Sequence, residues 1–239
     1  MTLQGKRVVL LGGTSGIGLA TAKAAAAAGA TLVVASSSPA RVAGALAQLP
    51  AGTTGHAVDL TKEESFRDLF EKVGAFDHLT FTAGENLQLS TIAATDLAAA
   101  RRFFELRYWG AFMAAKYGSG KLRAGGSIVF TGGSAFARPQ AGWSIAASIC
   151  GAMEGLTRAL AVELAPIRVN LVAPGIVRTE LWGGMSEADR EGIFRDFGAK
   201  LLVGRVGKAD EIGEAFVYLM ANGYMTGQVV NIDGGSSLV

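Results

Sequence analysis

Cysteine and histidine are scarce in this sequence, and their scarcity excludes several kinds of site. The chain of 239 residues has one cysteine, Cys150, and two histidines, His56 and His78. One cysteine excludes an internal disulfide and any metal site made of several cysteines, and the two histidines do not have metal-ligand spacing. The sequence therefore predicts that no metal ion takes part in catalysis.

Strong net charge and long apolar runs are lacking as well. The formal net charge is +2, and lysine and arginine do not cluster in one segment, which disfavours nucleic acid and anionic lipid as partners. No apolar run approaches the roughly 20 residues that a membrane span needs, and residues 1–7 do not lead into the apolar stretch of a signal peptide. We therefore expect a cytoplasmic protein whose partners are a small-molecule substrate and further copies of itself, with no membrane partner.

Half of the residues are hydrophobic, and they form short runs that alternate with longer helical stretches. Seven runs rich in β-branched residues read as strands: 7–11, 31–35, 55–59, 78–82, 127–131, 168–172 and 229–232. Because they are apolar at nearly every position, they are typical of parallel strands covered on both faces. The pattern predicts an α/β fold with a doubly wound, Rossmann-type, seven-stranded parallel sheet flanked by helices, in a single domain spanning 1–239.

Three further segments carry predictions of their own. Residues 19–28 are rich in alanine and stop at Gly29, and residues 143–163 have apolar residues at helical spacing, so both read as helices. The stretch 180–208 is the least regular, and Gly183, Gly184, Gly198 and Gly204 lie within it. We expect it to form a substrate lid.

A glycine-rich turn follows the first predicted strand and leads directly into the first helix. It reads Gly12-Gly13-Thr14-Ser15-Gly16-Ile17-Gly18. Such a turn brings bare backbone and free N–H groups close to a pyrophosphate, and the helix dipole favours the negative charge. The turn therefore indicates a dinucleotide site, although a tight strand-to-helix turn without a ligand would have the same letters.

The spacing Gly12-x-x-x-Gly16-x-Gly18 resembles that of the short-chain dehydrogenase/reductase family, and the similarity extends along nearly the whole chain. Residues 158–170 and 227–235 are also similar to family sequence. The resemblance implies a nicotinamide cofactor held by Gly12, Thr14, Ser15, Gly16, Ile17, Gly18, Asp59, Leu60, Thr82, Ala83, Gly84, Pro174, Gly175, Ile176 and Thr179. Asp59 could instead be a turn residue, and Thr179 could be a helix cap.

The end of the second predicted strand indicates which nicotinamide cofactor binds. Ser36, Ser37 and Ser38 stand there with Arg41 shortly after, where a carboxylate would select NAD by accepting from the ribose hydroxyls. Hydroxyls and a guanidinium suit a 2′-phosphate, so NADP is favoured over NAD. The same serines before Pro39 are also an ordinary helix start.

The resemblance implies hydride transfer assisted by Tyr, by Lys four residues later, by Ser thirteen residues before the Tyr, and by Asn on the preceding helix. Laid on this chain, the four positions are occupied by Ala146, Cys150, Gly133 and Arg107 in that order. Alanine cannot carry a proton, so the usual general acid is missing. The catalytic group is left unknown, and the candidate proton donors are Ser134, Ser148 and Tyr108, with Ser144 and Glu85-Asn86 also near the expected pocket.

Two of the replacements allow several interpretations. Cys150 is a thiolate nucleophile if Arg107 lowers its pKa, or a small buried residue. Arg107 contacts the cofactor ribose, binds an anionic substrate, or forms an ion pair with Glu105 or Glu154. Trp143, Trp182 and Met185 are expected on the substrate side.

Two functions fit these residues. The first is an NADP(H)-dependent oxidoreductase that acts on a small carbonyl or alcohol, or on a related C=N or C=C substrate, with an atypical proton donor. The alternative is an NADP(H)-binding protein without dehydrogenase turnover, such as a sensor, a regulator or an assembly partner. The resemblance also implies a homotetramer or homodimer formed through the helices that hold Arg107 and Met153.

Overall fold

The structure is a computed structural model that describes residues 1–87 and 89–239. Its centre is a parallel sheet of seven strands: β1 (Arg7–Leu11), β2 (Thr31–Ser36), β3 (Thr54–Ala57), β4 (Phe76–Phe81), β5 (Leu122–Thr131), β6 (Arg168–Pro174) and β9 (Val229–Ile232). Their order across the sheet is β3-β2-β1-β4-β5-β6-β9. All seven predicted strands are present, and the predicted doubly wound α/β fold is confirmed. A separate pair, β7 (Val177–Arg178) with β8 (Gly207–Lys208), was not predicted.

Helices cover both faces of the sheet. They are α1 (Gly16–Ala27), α2 (Pro39–Leu46), α3 (Glu63–Val73), α4 (Leu97–Phe104), α5 (Gly110–Gly118), α6 (Ser144–Glu163), α7 (Glu187–Gly198) and α8 (Ala209–Ala221). Three 3₁₀ segments, Ile92–Ala94, Ser119–Lys121 and Glu180–Trp182, and a π-helical segment, Glu105–Trp109, complete the regular structure. The predicted helices 19–28 and 143–163 correspond to α1 and α6, each with its boundaries shifted by a few residues.

Alternate residues of the inner strands β1, β2, β5 and β6 are buried on opposite faces of the sheet, which explains their apolar runs. In β1, Val9 and Leu11 belong to the core that includes Phe66 of α3. Val8 and Leu10 belong to the core on the other side, with Phe216 of α8. A strand that is buried on both faces needs an apolar side chain at every position.

Helix α6 is apolar and long enough to cross a membrane by the criteria of length and composition. Its buried residues Ile149, Met153, Leu156 and Leu160 pack in the same core as β1, β4 and β6. The buried face of α6 is therefore part of the core that covers the sheet.

The segment predicted as a lid has a hydrophobic cluster of its own. Trp182, Phe194, Leu201 and Val206 are buried together, and the Trp182 indole donates to the carbonyl of Val177 at 3.1 Å. The β7–β8 pair joins the two ends of the segment. The segment therefore contains a twelve-residue helix, α7, and a small core where the sequence suggested irregular chain.

Candidate functional site

A cleft of about 370 Å³ opens at the carboxyl ends of the parallel strands. Leu11 of β1 pairs in register with Ala35 of β2 and with Phe81 of β4, so the loops that follow these strands begin at one edge of the sheet. The connections reverse direction between β1 and β4, which is where ligands bind in doubly wound sheets. The fold thus places the glycine-rich turn at the usual ligand crevice.

The structure brings nearly all of the predicted cofactor residues into the wall of this cleft. They are Gly12, Thr14, Ser15, Gly16, Ile17, Gly18, Ser36, Ser37, Arg41, Asp59, Leu60, Thr82, Ala83, Gly84, Pro174, Gly175, Ile176 and Thr179. Ser38 lies outside the wall. These residues come from five separate loops, so their convergence is a product of the fold.

Two glycines of the turn are required by close packing against neighbouring backbone. Gly12 has φ +92°, and a Cβ there would lie 2.4 Å from the amide nitrogen of Ala83. A Cβ on Gly18 would lie 2.0 Å from the carbonyl oxygen of Gly12 and 2.5 Å from Oγ1 of Thr82. Any side chain at either position would push the turn away from the loop after β4.

The N-terminus of α1 suits an anionic group. Ser15 is the N-cap residue with an extended backbone, and in the described part of the chain its hydroxyl caps no amide and the first turn contains no carboxylate. The first N–H groups of a helix are left without intrahelical acceptors, and the helix dipole adds positive potential. The residues present therefore fit a dinucleotide pyrophosphate at this point.

Ser38 is a helix cap rather than part of the cleft. Its hydroxyl accepts from the backbone N–H of Arg41 at 3.3 Å, and Pro39 follows as the first residue of α2. Ser36, Ser37 and Arg41 remain in the wall. The carboxylates in the described wall belong to Asp59 and Glu180, neither of which stands at the end of β2.

Asp59 and Thr179 make the local contacts that the sequence also allowed. Asp59 Oδ1 accepts from the hydroxyl and the backbone N–H of Thr61, and these two hydrogen bonds hold the pKa of Asp59 below its usual range. The Thr179 hydroxyl accepts from the N–H of Leu181 at 3.3 Å and caps the 3₁₀ segment. Both residues therefore have a structural role in addition to their place in the wall.

The four positions where the resemblance implies catalytic residues converge in the same cleft. Arg107, Gly133, Ala146 and Cys150 all line it. A Cβ on Gly133 would lie 3.0 Å from the Cys150 sulfur, so the missing side chain at one position makes room for the thiol at the other. Gly133 and Cys150 are thus matched in shape across the gap between β5 and α6.

The environment of Cys150 decides between its two interpretations. Burial raises the pKa of this thiol to about 11, while the nearby Arg107 charge opposes that rise to a smaller extent. A thiol with this pKa is protonated at neutral pH and is a poor nucleophile. The structure therefore favours Cys150 as a small buried side chain.

Arg107 lies in the π-helical segment Glu105–Trp109 with its guanidinium flat against Gly84. A Cβ on Gly84 would be 2.7 Å from Cζ and from both terminal nitrogens of Arg107. On its other side, Cζ lies 4.3 Å from the centroid of the Phe103 ring. A glycine at position 84 is thus needed to admit the arginine.

The ion-pair partner of Arg107 is Glu85, and the expectation of Glu105 or Glu154 was wrong. Arg107 Nη2 donates to the backbone carbonyl of Glu85 at 2.5 Å, and Nε lies 3.5 Å from the carboxylate oxygen Oε2. Glu154 pairs instead with Arg158 one helical turn away. The sequence did not point to Glu85, because this residue lies in a loop 22 residues from Arg107. It also directly follows Thr82-Ala83-Gly84, which we interpreted as a cofactor-binding motif.

This ion pair is incompletely satisfied. Nε of Arg107 and Oε2 of Glu85 are buried and have no hydrogen-bond partner within the described residues. Burial lowers the pKa of Arg107 and raises the pKa of Glu85. The pair therefore keeps a desolvated cation in the cleft wall.

Of the three candidate proton donors, one lies in the cleft. Ser134 lines the wall, and its hydroxyl is 3.3 Å from that of Ser236, which also donates to Asp233 Oδ2 at 3.1 Å. Ser148 is exposed on α6, and Tyr108 packs edge-on against Trp109; both lie outside the wall. Ser236 could not be found from the sequence, since it is 102 residues away from Ser134.

The remaining wall of the cleft is largely apolar. Trp143 and Trp182 lie there as expected, whereas Met185 packs against the hydrophobic cluster of the lid. No sequence pattern pointed to Phe197, whose ring stacks with that of Trp143 at 6.1 Å between centroids and an interplanar angle of 24°. Among the described residues, no group of three or more His, Cys, Asp or Glu side chains is placed to hold a metal ion.

Comparison with known proteins gives matches along nearly the whole chain. Residues 12–237 match the family model described as enoyl-(acyl carrier protein) reductase. Short-chain dehydrogenase/reductase ATR9 of Stachybotrys chlorohalonatus is 37% identical over 255 residues, covering 99% of this chain and 99% of the relative.

Two solved structures are similar in both fold and sequence. One is a small-chain dehydrogenase in complex with NADPH, with 35% identity and a TM-score of 0.84 over 98% of this chain and 99% of that chain. The other is the reductase/Diels-Alderase MalC from Malbranchea aurantiaca, with 30% identity and a TM-score of 0.89 over 98% of this chain and 96% of that chain.

Proposed function

Because this chain belongs to the short-chain dehydrogenase/reductase family, we propose that it is an NADP(H)-dependent oxidoreductase with an atypical active site. Its substrate is a small carbonyl compound or alcohol, or a related C=N or C=C compound. The observation that carries the proposal is the cleft, where the glycine turn and the uncapped end of α1 continue into a largely apolar pocket. The NADPH complex of a similar small-chain dehydrogenase supports the choice of cofactor.

The nicotinamide cofactor supplies the hydride when it is bound. The N-terminus of α1 holds its pyrophosphate, and Ser36, Ser37 and Arg41 contact the 2′-phosphate that distinguishes NADP from NAD. Thr82, Ala83 and the other cleft residues of the predicted set position the rest of the dinucleotide. Ser134 contacts the reacting oxygen or nitrogen, and its hydroxyl is oriented by Ser236 and Asp233.

Arg107 takes the place of the missing lysine as the cation that holds the nicotinamide ribose. Its guanidinium rests on Gly84, within the predicted cofactor loop, and its charge acts on Cys150, the position where the family has lysine. A buried guanidinium with an unused donor makes strong hydrogen bonds to oxygen acceptors. The positive charge is thus supplied from the π-helical segment instead of from α6.

The proposed contact of Arg107 with the nicotinamide ribose is tested by removing this arginine and then placing a lysine at position 150. Arg107→Met should weaken NADPH binding about tenfold or more, as expected for loss of a charged hydrogen bond. The double variant Arg107→Met with Cys150→Lys should recover most of the affinity, because a lysine at position 150 restores the cation. Equal NADPH affinity of wild type and Arg107→Met would refute the ribose contact.

The overall proposal is tested by cofactor binding followed by turnover. Purified protein should enhance the fluorescence of NADPH more than that of NADH, and a panel of aldehydes, ketones, imines and enones should then consume the NADPH. Failure to bind either NADPH or NADH would refute the proposal. Binding without consumption across the panel would favour the second candidate, a cofactor-binding protein without turnover.

That second candidate has its own supporting observation. Ala146 has no titratable group, and the Cys150 thiol stays protonated at neutral pH. Such a protein would act as a sensor, a regulator or an assembly partner. Measured NADPH consumption that is lost on Ser134→Ala would decide against it.

We also propose that the chain forms a homodimer or homotetramer through the helices that hold Arg107 and Met153, with the contact extending over the start of α5. Trp109 and Phe112 are exposed there, at 48% and 38% of their surface, and they pack edge-to-face with 5.8 Å between centroids. Exposed neighbouring aromatic rings are typical of protein interfaces. Light scattering should give a mass of two or four chains, and Trp109→Glu should reduce it. Cytoplasmic localisation stays a prediction.

A further inference from the structure

Two parts of the fold meet at one aromatic contact in the wall of the cleft. Trp143 is fixed at the start of α6, because its carbonyl accepts from Ala147 at 2.8 Å and its N–H donates to Gln140 at 3.0 Å. Phe197 belongs to α7, in the lid segment. The two rings are stacked, with 6.1 Å between their centroids and an angle of 24° between their planes, and both line the cleft.

Phe197 is carried by a segment that has its own hydrophobic cluster. Phe194, three residues earlier on α7, packs edge-to-face on Trp182 at 6.0 Å between centroids. Leu201 and Val206 complete this cluster. Phe197 is therefore held by the packing of the lid segment and Trp143 by α6, and the two rings meet where these two parts of the fold adjoin.

The spacing of the two rings limits what can enter between them. A planar guest ring needs van der Waals contact of about 3.5 Å on each face, or a gap of about 7 Å. The 6.1 Å of the present pair is the distance between the centroids of two rings that stack on each other, so a flat ring enters between them only when the pair opens. A puckered saturated ring is thicker and needs a larger opening.

We propose that Trp143 and Phe197 form an aromatic clamp that selects substrates in which a planar aromatic or conjugated group is attached to the reacting carbonyl, imine or enone. This inference rests on the proposed oxidoreductase function and names its substrate class. The guest ring replaces one Trp–Phe stack by two stacks of its own. Each such contact favours binding by a factor of about 2 to 12 beyond area burial.

The test compares two probes of the same carbon skeleton. Binding of 2-acetonaphthone and of its fully saturated analogue, 2-acetyldecahydronaphthalene, is measured by calorimetry on the protein with and without NADP⁺. The aromatic probe should bind at least about fivefold more tightly to the wild type, because only it gains two ring contacts. A preference below twofold would overturn the clamp.

Variants separate the clamp from general apolar packing. Trp143→Leu and Phe197→Leu should each reduce the preference to about twofold, mainly by weakening the aromatic probe, whereas Trp143→Phe should retain it. Tyr224→Leu, which changes a fully exposed aromatic residue between α8 and β9, is the matched control and should leave the preference unchanged. Survival of the full preference in both leucine variants would refute the assignment.

The outcome is independent of turnover. If NADPH and NADP⁺ fail to bind the wild type, the proposed oxidoreductase function fails, and the probes still test the clamp in the cofactor-free protein. If NADPH binds while the two probes bind equally well, only the clamp fails.

Discussion

Cys150 should react with iodoacetamide far more slowly in the folded protein than in the unfolded chain. The pKa of its thiol is raised from 9.0 to about 11 by burial. Alkylation proceeds through the thiolate, and a rise of about two units in the thiol pKa lowers the thiolate fraction at neutral pH about 100-fold. Restricted access of the reagent to the buried sulfur slows the reaction further.

The assay is simple because the chain has one cysteine. Carbamidomethylation is followed by mass spectrometry at pH 7.5, with and without a denaturant that leaves thiols free. Arg107→Met should slow the folded reaction further, since the Arg107 charge is the largest of the influences that lower the thiol pKa. A folded rate equal to or faster than the unfolded rate would show that the arginine outweighs burial, and Cys150 would again be a candidate nucleophile.

Three further predictions concern stability and cofactor choice. His78 is buried, and burial lowers its pKa to about 4, so between pH 6.5 and pH 4 only the unfolded chain takes up a proton at this residue. The free energy of unfolding, measured with urea, should therefore fall by about 3 kcal/mol as the pH falls across this range. If His78→Gln keeps the pH profile of the wild type, the assignment is contradicted. Gly18→Ala should lower the free energy of unfolding by about 1–3 kcal/mol and weaken NADPH binding, because its Cβ would lie 2.0 Å from the carbonyl oxygen of Gly12. An unchanged melting temperature would refute the clash. Gly44→Ala, where a Cβ meets nothing within 4 Å, is the control. Arg41→Ala should lower the preference for NADPH over NADH about tenfold with little change for NADH, and equal losses for both cofactors would exclude a 2′-phosphate contact.

Much of the fold was predictable because its signals are local. The seven strands were visible as apolar runs, since a strand covered on both faces needs an apolar residue at every position. The glycine turn was visible because Gly12 and Gly18 have no room for a Cβ. The helix in the lid segment was missed because glycines flank α7, and the sequence pattern alone suggested a break.

For the candidate site, too, some features followed from the sequence and others only from the tertiary structure. The sequence by itself determined which residues follow the strands, and hence which loops meet at the crevice, and it identified the family. Only the tertiary structure decided that Arg107 pairs with Glu85, that Gly133 leaves room for Cys150, that Ser236 reaches Ser134, and that Phe197 closes on Trp143. Each of these contacts joins residues from different elements of the fold. Their partners and their burial are set by how the helices and loops pack over the sheet, and no local pattern of residues carries that information.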